Sequence, residues 1–310
     1  MTGSRAATAH AGWTVEARVG VWWGKLAAHP ISAVKAAAAK VEELGYGSLW
    51  IGDTPGARGP FTHAGLLLGA TERLAIGTGI VNIWGRDAMA TKAEAYTLAE
   101  AYPGRFVLGL GVSHDPAVAL RGQRYEKPLT KMRAFLDDYA AIDYRSPAPA
   151  VPPPIVLAAL RRRMLELARD RTAGAHPYFV PTSHTARARE ALGEGPLLVP
   201  EQAVVLETDP ARARAIAREH TAVYLTLPNY VGNLRRLGFS ADDVANGGSD
   251  RLVDAIVAWG DVDAIRSRVN EHLDAGADHV LLQPLEPASG LGLGQLRELA
   301  PAVLEDHRLT

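Results

Sequence analysis

Ser48-Leu-Trp-Ile-Gly-Asp53, Leu74-Ala-Ile-Gly-Thr-Gly-Ile80 and Arg105-Phe-Val-Leu-Gly-Leu-Gly-Val-Ser-His114 repeat one arrangement. Each is a short apolar run that ends in glycines or polar residues and is followed by a helical pattern. Continuous apolar runs of this length suit strands buried on both faces, as in a parallel sheet covered by helices. In a parallel barrel the polar strand ends are where a site is built, so this pattern places both the fold and the chemistry.

The same reading extends along the chain. Arg18 to Trp23 reads as the first strand, and Pro30 introduces an alanine-rich helix over 32–44 that Gly45 stops. A helix over 88–101 ends before the turn signal Pro103-Gly104. Lys127 to Arg133 opens another helix, and 146–154 is an extended linker with five prolines. Further strands are expected over 155–159, 174–180, 202–207 and 278–283, with helices over 162–171 and 291–305. Residues 209–276 read as nearly all helical, too long for one crossover. The whole predicts an α/β chain: a single (β/α)8 barrel over 16–310, a helical insertion (about 209–276) before the last strand, and a flexible leader over 1–15. A barrel of this kind takes roughly 250 residues, and the chain has 310.

Composition bounds the function. Apolar residues are 47% and charged residues 22%, with a net charge of −1. That balance offers no basic field for nucleic acid and no single-sign surface for a membrane. No apolar run approaches the ~20 residues of a membrane span, and no signal peptide is evident, so a cytoplasmic protein is expected. The absence of cysteine excludes disulfides, thiolate metal sites and thiol nucleophiles. The histidines show no metal-ligand spacing, and no nucleophile elbow or Walker loop is present, so no catalytic metal is expected.

Candidate site residues come from the strand ends. Asp53 is a helix cap, a structural acceptor or a site residue. Gly77-Thr-Gly79 and Gly109-Leu-Gly111 lack the third glycine of a dinucleotide fingerprint; they read as tight turns or bulges, or as places where backbone approaches a flat ligand. Ser113 and His114 offer groups for a phosphate or a carbonyl. Arg161-Arg-Arg163 stands at a helix start, where positive charge opposes the helix dipole unless an anion or an acid such as Glu166 answers it. Trp22, Trp23, Trp84 and Tyr178 either wall a planar ligand or pack ordinarily.

Together these stretches resemble the bacterial luciferase-like superfamily of TIM-barrel flavin and deazaflavin enzymes, and in detail its F420-dependent oxidoreductase branch. The likeness runs through 43–53, 71–80, 103–114, 128–133, 164–168, 248–254 and 275–280. It implies an oxidoreductase that moves a hydride between deazaflavin F420 and a small organic substrate. It implies a cis peptide at Gly79-Ile80 beneath the ring system, Asn82 at the ring edge and Asp53 on its pyrimidine side. Val112, Ser113 and His114 would meet the ribityl and phosphate region, and Ala159, Arg161 and Arg162 the phosphate. It further implies a homodimer.

Two positions depart from the pattern. Thr54 stands where many relatives carry a histidine near the reactive carbon, and threonine has no useful proton affinity near neutral pH. His114 or Tyr178 is then the candidate proton carrier. Ala159-Leu-Arg-Arg162 replaces a phosphate-facing glycine, so arginine side chains, Arg124 among them, are candidates for an acidic cofactor tail. Two other readings stay open: an FMN-dependent monooxygenase, and a barrel without its redox cofactor that binds a ligand or catalyses a non-redox step.

Overall fold

The computed structural model describes residues 13, 15–286, 291–305 and 307–309. In chain order the strands are β1 (Val19–Trp22), β2 (Ser48–Ile51), β3 (Ala75–Thr78), β4 (Val81–Asn82), β5 (Phe106–Gly111), β6 (Ile155–Leu157), β7 (Gly174–Ala175), β8 (Leu197–Leu198), β9 (Glu201–Leu206), β10 (Val257–Gly260) and β11 (Val280–Pro284). They form one curled sheet in the order β10-β9-β11-β1-β2-β3-β5-β6-β7-β8, with β4 beside β5, and these strand pairs are parallel. Only Val199 and Pro200 separate β8 from β9. The Asp278 N–H donates to the Leu198 carbonyl and the Leu281 N–H to the Pro200 carbonyl, both at 2.9 Å, so the curl brings β8 to the start of β11.

Side chains divide between two faces along each strand, as a two-residue period requires. Leu49, Ile51, Ile76, Phe106, Leu108 and Leu110 join the core between sheet and helices. Trp50, Ala75, Val107, Val156, Val199 and Leu281 share a second cluster, on the inner side. Trp50 is fully buried there. Its indole N–H donates to Ser48 Oγ at 3.1 Å, and Ser48 Oγ lies 2.7 Å from His279 Nε2. Ser48 Oγ thus ties the Trp50 indole to the His279 imidazole. Trp13 packs edge-on against His279, with ring centroids 5.1 Å apart. The leader expected over 1–15 otherwise lies largely outside the described residues.

The glycines of the Gly-x-Gly stretches serve this interior. A side chain at Gly77 would overlap the Trp50 ring, one at Gly109 the Thr78 carbonyl, and one at Gly111 the Ile80 side chain. These glycines lie within strands and admit neighbouring protein atoms, a packing role that neither the turn nor the flat-ligand reading anticipated. The Thr78 hydroxyl joins the strands here, donating to the Gly109 carbonyl at 3.0 Å and accepting from its N–H at 2.9 Å. Directly after Thr78 the Gly79-Ile80 peptide is cis, as the resemblance implied.

The expected strand list needs correction. Strand three continues past the cis peptide as β4. The strand expected over 174–180 shrinks to two residues, because Pro177 offers no N–H and Phe179 takes a left-handed conformation with φ 58°. The strand expected over 202–207 is preceded by β8, and Pro200 between them cannot donate to a ladder. The segment over 209–276 is not all helical: β10 pairs with β9 inside it, and the helix Val262–Asp274 follows. The helices Pro210–Tyr224, Pro228–Arg236 and Asp250–Ile256 bury Ala213, Ala217, Tyr230, Leu234, Leu252 and Val253 in a separate small core with Val205 and Val257. Other helices fall close to their expected bounds, Ala88–Ala101 and Arg162–Arg171 among them. Among the described residues no helix is long and apolar enough to cross a membrane.

The packing at Gly109 is testable. Gly109→Ala forces a methyl into the Thr78 carbonyl, and its unfolding free energy in urea is expected to drop by about 1–3 kcal/mol or more. Gly294→Ala, where an added methyl meets nothing within 4 Å, is expected to show no loss.

Candidate active site

A cavity of about 990 Å³ opens at the C-terminal ends of the strands. Its wall is made by Trp22 at the end of β1, by 52–55 after β2, by Gly79 and Ile80, by 112–114 after β5, by 158–163 after β6, and by His176 and Tyr178 after β7. The helix Thr182–Leu192 adds His184, Arg187 and Glu190. The insertion roofs it with Tyr224, Asn229, Tyr230, Asn233 and Arg236.

Sequence reading thus brought together Asp53, Gly79, Ile80, Val112, Ser113, His114, Ala159, Arg161, Arg162 and Tyr178, all on this wall. Asn82 is not on it. It is buried behind Asp53, whose Oδ2 accepts the Asn82 backbone N–H at 3.1 Å, and its own Oδ1 accepts from the Trp84 N–H at 3.0 Å. Arg121 stands 4.0 Å from the other Asp53 oxygen, so the carboxylate braces β4 while facing the cavity. Trp23 belongs to the core, Trp84 packs with Tyr125, and neither lines the cavity; nor does Arg124.

At the floor, the Trp22 indole N–H donates to the Gly79 carbonyl at 3.2 Å. His176 Nδ1 lies 2.7 Å from the Val199 carbonyl, which can only accept, so Nδ1 carries the proton and Nε2 the lone pair. Burial pushes the His176 imidazole down to about 4. The Tyr178 hydroxyl meets Gln283 Oε1 at 2.8 Å and the Tyr224 hydroxyl at 2.7 Å. One proton per phenol gives the chain Tyr224 to Tyr178 to Gln283. Burial raises the Tyr178 phenol well above its ordinary value, so it keeps its proton. Glu201 lies under this group: its Oε2 accepts from the Phe179 N–H at 3.2 Å, and burial pushes its carboxyl up to about 8.

The mouth is different. Ser113 adopts a left-handed backbone with φ 57°. His114 Nδ1 lies 3.1 Å from Asn229 Oδ1, and burial lowers its pKa despite that bond, so it is neutral near pH 7. Arg161 donates to the Asn229 carbonyl at 3.3 Å, Arg187 to the Arg236 carbonyl at 3.2 Å, and Arg236 to the Gly232 carbonyl at 2.9 Å. Among the described residues none of the three has an acid within ion-pair distance, whereas Arg162 pairs with Glu166 at 2.9 Å. Burial and the neighbouring Arg236 both lower the Arg161 pKa, the mark of a cation in a place that favours an anion.

The roof residues were not found from sequence. Asn229, Asn233 and Arg236 recur at helical spacing beside the buried stripe Tyr230 and Leu234, a polar edge that would have marked a helix facing a second environment.

The sequence profile of the family described as Luciferase-like monooxygenase matches residues 7–279. A 5,10-methylenetetrahydromethanopterin reductase of Methanolobus tindarius is 26% identical over 302 residues, covering 83% of this chain and 92% of that one. The structure of the coenzyme F420-dependent tetrahydromethanopterin reductase from Methanopyrus kandleri superimposes with a TM-score of 0.70 at 15% identity, covering 93% of this chain and 98% of that one. A type II Baeyer-Villiger monooxygenase from Pseudomonas putida in complex with FMN does so with a TM-score of 0.71 at 13% identity, covering 96% and 100%.

The buried histidines set an acid limit to stability. Folded values of about 4 for His176 and about 3 for His220, His272 and His279 lie below the unfolded 6.5. The unfolded chain therefore binds protons that the folded chain refuses. Their contribution is intact above pH 6.5 and is lost as pH falls toward 3–4, by about 1.4 kcal/mol per pH unit for each histidine. Glu201 acts oppositely, since its raised value removes stability as pH climbs from 4.5 to about 8. Urea unfolding at pH 7, 6 and 5 is expected to show a steep acid fall, shallower by about one histidine's share in His220→Gln.

Proposed function

The chain belongs to the luciferase-like monooxygenase family, and from that premise we propose that it is an oxidoreductase holding deazaflavin F420 in the cavity and exchanging a hydride with a small organic substrate. The fit is one of size and charge. Cofactor pockets run from about 300 to 1,000 Å³, and this one reaches about 990 Å³. The carrying observation is the trio Arg161, Arg187 and Arg236, three guanidinium groups at the mouth that meet only backbone carbonyls among the described residues. A phosphodiester with an acidic glutamyl tail answers such a surplus more fully than the single phosphate of FMN.

In this reading the curled sheet is a (β/α)8 barrel, with β3 and β4 as one interrupted position, β8 and β9 as another, and β10 outside the ring. The hydrogen bonds from Asp278 and Leu281 support it. Gly79 and Ile80 would floor the ring system, Ser113 and Arg161 would hold the phosphate, and Arg187 and Arg236 the tail. When bound, the deazaflavin supplies hydride acceptance or donation. The roof helices exclude water from that contact. His114 is the proton carrier, because its imidazole is neutral and its Nε2 bears a lone pair, whereas Tyr178 commits its proton to Gln283.

Titration with the two cofactors tests the proposal. F420 is expected to bind with its absorption near ~420 nm, and FMN, which absorbs near ~450 nm, more weakly. Arg161→Ala with Arg236→Ala is expected to weaken F420 binding at least about tenfold, since each charge-assisted hydrogen bond contributes about 1.5–3 kcal/mol. Binding of neither cofactor would favour a non-redox barrel.

The His114 role predicts a pH profile. The neutral form accepts the proton, and burial places its pKa below 6.5. Substrate oxidation is expected to be level above pH 6.5 and to fall about tenfold per unit below the lowered pKa. His114→Gln is expected to be slower and to lose that acid limb in stopped-flow measurements.

A further inference from the structure

The stretch between β5 and the helix Pro128–Ala141 crosses the cavity mouth and supplies His114, Ala117 and Tyr125 to its lining. It is fastened unlike the rest of the wall. Within 114–126 only Val118 is buried, and that side chain joins none of the apolar clusters among the described residues. Leu120 is 78% exposed, so it anchors nothing. Among the described residues the backbone hydrogen bonds of the segment stay inside it. The Val118 N–H donates to the His114 carbonyl at 3.0 Å, and the Gly122 N–H to the Ala119 carbonyl at 2.9 Å. The segment is a small body folded on itself.

Both of its ends bend at residues ill suited to bending. Ser113, with φ 57°, and Lys127, with φ 45°, lie in the left-handed region. A residue with a side chain holds that conformation at a cost, unless it is Asn or Asp, and keeps it only where its surroundings impose it. Here a few side-chain ties impose it. Gln123 Nε2 donates to the Trp84 carbonyl at 3.0 Å, and Arg121 stands 4.0 Å from Asp53. The Tyr125 ring lies 6.1 Å from that of Trp84, and His114 Nδ1 meets Asn229 Oδ1 of the roof at 3.1 Å. Strained backbone at each end, little burial between, and polar ties at the edge of solvent describe a closed state that an open one rivals.

We propose that 114–126 is a strap that swings as one body about Ser113 and Lys127, latched in this structure, and that its release admits the cofactor and its closure retains it. The identity of the ligand rests on the cofactor reading above; the motion does not. On opening, the hinges leave the left-handed region, the ties to Trp84 and Asn229 part, and Ala117 and Tyr125 lift from the lining. His114 rides on the strap, so the proposed proton carrier stands in place only when the mouth is shut.

Trypsin reads the opening. Arg121 and Arg124 lie in the strap, the Lys127-Pro128 bond resists the protease, and exposed Arg145 serves as the reference site in the same digest. The ratio of Arg124 to Arg145 cleavage is followed by mass spectrometry. Lys127→Asn tolerates the left-handed backbone and is expected to lower the ratio at least threefold; Lys127→Val resists it and is expected to raise the ratio at least threefold. Both variants remove the charge, so the difference between them reads the backbone. Gln123→Ala, which cuts the tie to Trp84, is expected to raise the ratio as well. Exposed chain without hinges would not respond oppositely to the two Lys127 variants, and a shared direction or no change overturns the hinge. An unchanged ratio in Gln123→Ala overturns the latch. Saturating F420 is expected to lower the ratio of the unsubstituted protein at least fivefold, and bound F420 without that fall overturns the closure. Failure of F420 to bind overturns the cofactor reading instead, and the digests of the free protein still decide the hinge.

Discussion

One indole sets the dimensions of this sheet. Trp50 fills the interior, and a ring of that size leaves no space for side chains on its neighbours, so Gly77 stands opposite it. The same crowding continues upward, where Gly109 admits the Thr78 carbonyl and Gly111 admits Ile80. The strands can curl tightly only because these positions are bare. The lower end is filled in turn by Ser48, His279 and Trp13.

The chemistry follows from where that filling stops. Above Trp50 the interior ends in Trp22, His176 and Tyr178, and the strand ends beyond them diverge around open space. The floor of that space is neutral and aromatic, its titratable groups held uncharged by burial. Its mouth is cationic. A ligand with a flat apolar head and an anionic tail matches both ends, and the proposed deazaflavin has both.

Much of this was legible in the sequence, and the exceptions share physical causes. Strands buried on both faces announce themselves as continuous apolar runs, so β1, β2, β3 and β5 were found where they lie. β8 has only two residues and owes its pairing to neighbours rather than to its own pattern. β10 follows the helix Asp250–Ile256 without a break, since Val257 directly succeeds Ile256 and no glycine or proline marks the change. Among site residues, those on strand ends were readable because topology alone puts strand ends together. Tyr224, Asn229 and Tyr230 were not, because a helix outside the repeating pattern carries no signal of which way it packs. Asn82 was placed at the ring edge by resemblance; it is buried off the cavity wall, and its backbone N–H donates to Asp53.

Asn229 touches both halves of the site, its side-chain oxygen at His114 and its backbone carbonyl at Arg161. Roof and mouth are therefore not separable modules. A lineage that reshaped the roof helix to suit a new metabolite would at the same stroke disturb the residues proposed to hold the coenzyme, so its evolutionary paths should be strongly epistatic, with compensating changes at 114 or 161 travelling alongside changes at 229.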